Sequence, residues 1–334
     1  MTTATVVVCV YTEKRWTDIV AAVESVAAQD VAAQDVAPVE TLVVVDHNPA
    51  LLERAQAELP DVRVLANAHV QGLSGARNTA IAEAKGDVVV FLDDDARARP
   101  GWLAALLEPY EDATVQAVGG VAHPRWPTWP NGGRRPHLLP GAVPEDGDAT
   151  GELDWIVGCT YTGQPTEQAE VRNLMGCNMS FRREVFERVG GFAEAIGRIG
   201  KNPLGCEETE LCIRARQAWA RSGEKIRIVF EPRAEVDHRV SHDRVEWAYL
   251  RRRSWAEGLS KAAVAQLVGS DAALSTERDY AAKVLPAAVI RELRQRRVSS
   301  AAAVVAALAW TTAGYVRGRL PGATSGVRLP AAGG

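Results

Sequence analysis

Hydrophobic and polar positions follow two rhythms along the first third of the chain. Short β-branched runs occupy residues 6–11, 40–46, 62–65 and 87–92. Between them, over residues 16–28, 49–59 and 75–84, apolar positions recur at helical spacing. Strands alternating with helices predict an α/β fold with a mostly parallel sheet flanked by helices. After residue 95 the rhythm loosens. The pattern predicts a helix over 102–110 and a strand over 117–122, and then residues 123–151 are rich in Pro, Gly and Trp and have no period. A connection that long predicts a substrate loop or lid. A strand over 173–181, a short helix over 183–189 closed by Gly190 and Gly191, a helix over 207–221 and a strand over 226–230 follow. From Glu246 onward the pattern is mostly helical, which divides the chain into a sheet domain, 1–245, and a C-terminal helical extension, 246–334. Residues 26–30, Val-Ala-Ala-Gln-Asp, recur at 31–35, a local duplication too short to be an architectural repeat.

Composition narrows the function classes. The chain has 334 residues, 47% of them hydrophobic, enough for a sizeable core. Net charge is −4 with no long basic stretch in the first 230 residues, which disfavours nucleic-acid binding. Five cysteines (Cys9, Cys159, Cys177, Cys206, Cys212) are odd in number and lack zinc-ligand spacing, so reduced thiols in a cytoplasmic protein are expected. The N-terminus carries no basic region or cleavage site of a secretory signal. Residues 299–315 are apolar and alanine-rich, with Arg294, Arg296 and Arg297 before them and Arg317 and Arg319 after. The segment is short and weakly apolar for a span. It is expected to be a core or dimer-contact helix, or an interfacial helix at the inner face of a membrane.

The candidate chemistry lies at strand ends. Residues 87–95 read Asp-Val-Val-Val-Phe-Leu-Asp-Asp-Asp, a buried-strand run ending in three acids. Asp93, Asp94 and Asp95 repel one another and call for a cation, and carboxylate oxygens suit Mg²⁺ or Mn²⁺. Glu13 follows the first strand and Asp46 the second, and in a parallel sheet such ends share one rim where ligands bind. Glu207 and Glu208 open a helix, where acids also favour the macrodipole. Trp126 and Trp129, in Trp-Pro-Thr-Trp-Pro, either stack on a substrate ring or plug the loop against the body.

Taken in order, residues 6–13, 43–48, 72–78 (Gly-Leu-Ser-Gly-Ala-Arg-Asn), 91–95, 205–212 (Gly-Cys-Glu-Glu-Thr-Glu-Leu-Cys) and the His-Arg-Val-Ser at 238–241 resemble glycosyltransferase family 2. The likeness runs from residue 5 to about 262 and includes the Ala-Glu-Gly-Leu-Ser-Lys segment at 256–261. The resemblance implies a GT-A fold and an inverting transfer of sugar from a nucleotide-diphosphate donor, most commonly a UDP-sugar, with Mn²⁺ or Mg²⁺. It puts Thr12, Glu13, Asp46, Arg77, Asp93 and Asp94 on the donor side, and Asp95, Asp93 and His238 at the metal, with His242 as a rival. It makes Glu208, with Glu207, the candidate base, although the family usually has Asp at the second position. Trp126, Trp129, Asn173 and Asn178 fall on the acceptor side, and Gly176 would let a substrate approach the backbone. Two rivals are a nucleotidyltransferase and a catalytically degenerate sugar-nucleotide binder. The first strand is followed by Tyr-Thr-Glu-Lys-Arg-Trp, with no glycine, which disfavours the nucleotidyltransferase and a dinucleotide oxidoreductase alike.

Overall fold

A computed structural model describes residues 2–29, 38–128, 132–141, 149–198 and 204–320. The chain forms two compact units, one of Met1–Val121, Pro165–Gly200 and Glu207–Asp237, the other of Ala122–Gln164, Lys201–Cys206 and His238–Gly334.

The first unit is built on strands β1 (Ala4–Val10), β2 (Pro38–Val45), β3 (Arg63–Ala66), β4 (Val88–Asp93), β5 (Ala96–Ala98), β6 (Val115–Arg125), β7 (Ala169–Glu170), β8 (Asn178–Arg182) and β9 (Arg227–Arg239). Its helices are α1 (Trp16–Ala27), α2 (Pro49–Glu58), α3 (Leu73–Glu83), α4 (Trp102–Leu107), α5 (Arg183–Val189) and α6 (Glu207–Arg221). Among the described residues the strands form one sheet in the order β3-β2-β1-β4-β8-β6-β9-β5, with β7 paired to β9. β1 pairs in parallel with β2 and β4, and β2 with β3, whereas β8 is antiparallel to β4 and β6. The parallel character read from the strand–helix alternation therefore holds for the N-terminal part, and the sheet as a whole is mixed. β1 and β4 read as unbroken valine runs because both faces are covered: Val88, Val89 and Val90 are fully buried. On one face Val7, Leu42, Val44 and Phe91 pack with Met179, Leu211 and Trp219. Phe91, Phe181, Phe186 and Phe192 meet with centroids 5.4–6.4 Å apart.

Two strands differ from the sequence pattern. The strand expected over 173–181 begins only at Asn178, whose amide donates to the Met175 carbonyl and closes a turn. The last strand, expected to stop at 230, continues to Arg239. There the charged Arg233, Glu235, Asp237 and Arg239 alternate with the buried Ala234, Val236 and His238. The polar face is occupied: Arg99 pairs with Glu235 at 2.5 Å and Asp237 at 2.8 Å. A half-charged strand of this kind has no apolar run to mark it.

The second unit contains helices α7 (Trp247–Val268), α8 (Ser270–Ala273), α9 (Ser275–Asp279), α10 (Leu285–Arg294) and α11 (Val298–Arg319). It also takes in residues 122–164, so the irregular segment shares a core with the C-terminal helices. Trp126, Leu139, Leu153, Ile156, Leu250, Leu285 and Val304 belong to that core. Arg135 is buried against Asp154 at 2.5 and 2.7 Å and lies 5.0 Å over the Trp126 ring. α7 and α11 cross on glycine. A Cβ on Gly258 would lie 2.1 Å from the Thr311 carbonyl oxygen, and one on Gly314 would lie 2.2 Å from that of Trp255. Any side chain there would force the helices apart. Among the described residues one helix, α11, is long and apolar enough to cross a bilayer by length and composition.

Candidate active site

Register places the acids on one rim. β1 pairs Val10 with Val45 and Cys9 with Asp93, so Asp93 closes β4 and Thr12, Asp46, Asp94 and Asp95 lie just past the ends of adjacent strands. Thr12 caps the turn Glu13–Arg15 by accepting from the Lys14 amide, and Glu13 is exposed beside it. Asp46 is nearly buried. Its two oxygens accept from the Gly72 amide at 3.1 and 3.0 Å, and Oδ1 also accepts from Asn67 at 2.7 Å. His47, beside it, has φ 49°, the left-handed region that non-glycine residues seldom enter.

The three acids after β4 have separate surroundings. Asp94 is buried and receives the Arg15 guanidinium at 2.5 Å, and Arg15 also reaches Asp95 at 3.2 Å. Burial and the neighbouring Asp95 raise the Asp94 pKa, and Arg15 opposes the rise. Asp94 is thus a partner of Arg15 inside the rim. Asp93, with 28% of its side chain exposed, and Asp95, with 3%, flank it. His238 is carried by the same sheet, near the end of β9. Ligand atoms of Asp93, Asp95 and His238 all lie within 4.8 Å of one another, a donor set that could hold a metal ion. His242, the rival, is 45% exposed in a short turn with Glu246 3.7 Å away, outside that group. Level with Asp93, burial pushes the Cys9 thiol up to about 12, so it adds no charge.

Arg77 joins these acids to the pair that opens α6. It is 2% exposed, donates to Glu207 at 2.7 Å and to the Gly176 carbonyl at 2.9 Å, and lies 3.5 Å from Asp93. The Phe91 and Phe192 rings flank its guanidinium at 5.6 and 5.2 Å. Glu207 is buried with Arg77, and Glu210 forms a two-point pair with Arg214 at 2.7 and 2.9 Å. Glu208 is half-buried, with the Thr209 hydroxyl donating to it at 3.2 Å. Of the three acids in this first turn, Glu208 is the least buried.

The residues before the pair are tethered within the second unit. The Gly205 amide donates to Ser260 at 2.9 Å, and the Cys206 thiol to Glu257 at 3.4 Å. Cys206 has φ 69°, so the turn into α6 is held in a strained conformation. The Ala-Glu-Gly-Leu-Ser-Lys segment supplies these anchors. Glu257 also meets Arg253 at 2.9 Å and Lys261 at 3.1 Å. Burial disfavours its charge, but Lys261 and Arg253 outweigh burial and hold its pKa down at about 2, against 4.5 ordinarily. Its contribution to stability is therefore complete above pH 4.5 and is lost as pH falls toward 2. Glu257→Gln should lower stability at neutral pH and flatten the acid limb of a melting-temperature profile. An unchanged limb would remove this network from the account.

Several expected contacts are placed differently. Asn178 is fully buried, accepting from Trp102 Nε1 at 2.8 Å and donating to the carbonyls of Val121 and Ala234. It organises the sheet instead of presenting an amide to an acceptor. Trp126 is 8% exposed inside the second core, which is the plug arrangement. Trp129 lies outside the described residues. Asn173 is half-buried and bonds locally, accepting from Arg172 and donating to Leu174. Gly176 faces Arg77, which takes its carbonyl, so its small size serves that guanidinium. Arg15 and Asn67 were not marked by the sequence pattern. Their signal was the unusual number of acids at the rim, which needs basic or amide partners.

The family model for glycosyl transferase family 2 matches residues 5–190, a span that ends before Glu207 and His238. A glucosyl-dolichyl phosphate glucuronosyltransferase of Haloferax volcanii is 35% identical over 260 residues, covering 77% of this chain and 75% of the relative. Among solved structures, a mannosyltransferase from Pyrobaculum calidifontis in complex with GDP-Man and Mn²⁺ superposes with a TM-score of 0.55 at 19% identity, covering 93% of this chain and 87% of that one. GalNAc-T7 with UDP, GalNAc and Mn²⁺ gives 0.50 at 19% identity, covering 78% and 48%. At these identities the structural likeness shows the GT-A fold.

Proposed function

This chain belongs to glycosyltransferase family 2, and from that premise we propose an inverting, metal-assisted transfer with Glu208 as general base. It is a glycosyltransferase that uses nucleotide-sugar donors. The single observation that carries the finer reading is Arg77, which touches Asp93 on one side and Glu207 on the other. One buried guanidinium thereby couples the diphosphate side of the rim to the acid pair.

Asp93, Asp95 and His238 fit a divalent ion. Carboxylate oxygens suit Mn²⁺ and Mg²⁺ alike, and the imidazole favours Mn²⁺. Such an ion, when bound, offsets the charge growing on the leaving diphosphate. The chain's own residues do the rest. Thr12, Glu13 and Asp46 border the place of the nucleoside. Arg77 holds Glu207, and Glu208, the less buried acid beside it, would take the acceptor's proton. Attack from the Glu208 side, opposite the diphosphate, inverts the anomeric carbon without a covalent intermediate. In this reading the donor-side groups and the acid pair belong to the sheet domain, residues 1–245.

The two solved relatives named above hold different bases, so UDP-sugars are the first donors to test and GDP-sugars the second. The 35% relative acts on a sugar carried by a dolichyl phosphate, which makes a lipid-linked sugar the first acceptor to test. Asp95→Ala should abolish transfer, keep its fold and lose Mn²⁺ binding in calorimetry, because it removes a ligand together with a repelling charge. Full transfer in chelator, or undiminished Mn²⁺ binding by Asp95→Ala, would remove the metal from the mechanism. A degenerate binder would hydrolyse no sugar nucleotide with Mn²⁺ present.

A further inference from the structure

We propose that the outer face of α11 docks the protein onto an anionic lipid surface, with the helix lying along the membrane plane. Residues 298–316 contain no charged residue. Over that stretch Val298, Val305, Leu308, Trp310 and Val316 are 39–67% exposed. Val298, Ala302, Val305, Ala309, Thr312 and Val316 recur at helical spacing and form one exposed stripe about 30 Å long. The opposite side is committed: Ala303, Val304 and Ala307 lie in the core of the second unit, and Gly314 and Gly318 lie against α7. A helix fixed along one side in this way lies on a membrane and does not thread through it.

Charge names the occupant. Residues 293–334 hold six arginines and no acid, while the whole chain has a net charge of −4, so the remaining residues carry a net −10. Arg294 and Arg296 are exposed before the stripe, and Arg317 and Arg319 after it. An uncharged stripe with cations at both ends complements anionic head groups above an apolar interior. A second copy of the chain fits poorly. Pairing two such stripes, parallel or antiparallel, brings arginines against arginines at both ends. The acidic balance of the rest of the chain would turn it away from the same lipid surface.

The test uses the full chain with vesicles of phosphatidylcholine alone or with one third phosphatidylglycerol, at low and high salt. Binding should require phosphatidylglycerol and fall at high salt. Arg317→Gln and Arg319→Gln should each weaken it about fivefold, the equivalent of about 1 kcal/mol per basic residue near such a surface. The pair Val305→Glu and Val316→Glu, both on exposed positions, should abolish binding and leave the melting temperature unchanged. If that pair does not fold, the arginine variants still decide. No binding to phosphatidylglycerol vesicles, or arginine variants that bind like the parent, would overturn the proposal. So would a dimer in sedimentation that Val305→Glu dissolves, which would make the stripe a subunit contact.

Discussion

Glu208→Gln is expected to lower turnover by roughly 10²–10⁴-fold while leaving donor affinity nearly unchanged. Glutamine keeps the shape of the side chain and loses its basicity. The first turn of α6 offers three carboxylates, and their burial separates them. Glu210 is held twice by Arg214, and Glu207 is buried against Arg77. A proton acceptor needs an accessible oxygen, and half-buried Glu208 has the most open position of the three. Its extra methylene, relative to the family's usual aspartate, lets it reach further from the helix. The measurements are single-turnover rate and donor affinity by calorimetry. A Glu207→Gln variant that is dead with normal donor affinity, beside an active Glu208→Gln, would move the base to Glu207.

Arg77→Met is expected to destabilise the protein by about 3–5 kcal/mol, because it leaves Glu207 buried without its countercharge. For a chain of this size that is a fall in melting temperature of roughly 10 °C. The Gly176 carbonyl also loses its donor, and Asp93 loses a nearby cation. Adding Glu207→Gln to Arg77→Met should recover part of the loss, since a neutral amide tolerates burial better than an unpaired carboxylate. Denaturant unfolding of both single variants and the double variant gives the coupling between the two sites. A coupling near zero would mean that Arg77 does not clamp the acid pair, and the bridge between Asp93 and Glu207 would lose its role. Transfer should fall in Arg77→Met even at temperatures where the variant is folded, because Glu207 and Asp93 are no longer held in one frame.

The sequence by itself determined the elements whose burial is uniform or periodic. Val88–Leu92 is apolar on both faces, so its identity as an interior strand, and the acids beyond it, were legible without coordinates. The helix at 207–221 was legible at both ends, because its acids, its apolar spacing and its terminal arginine agree. The likeness of ordered motifs gave the GT-A fold and the glycosyltransferase family, both of which hold. Tertiary structure alone decided what each polar side chain touches. Asp93, Asp94 and Asp95 are adjacent and alike in sequence, yet Arg15 claims Asp94, and Asp93 and Asp95 converge with His238. Arg77 is separated from Glu207 by 130 positions, and no local pattern links them. The extension of β9 to Arg239 was hidden because its outward positions are charged and need partners such as Arg99. Trp126 could stack or plug, and only the core around it made it a plug. Local propensity and hydrophobic period act over a few residues and can be read along the chain. Ion pairs and core assignments depend on which distant segments meet, and that is fixed only when the whole chain packs.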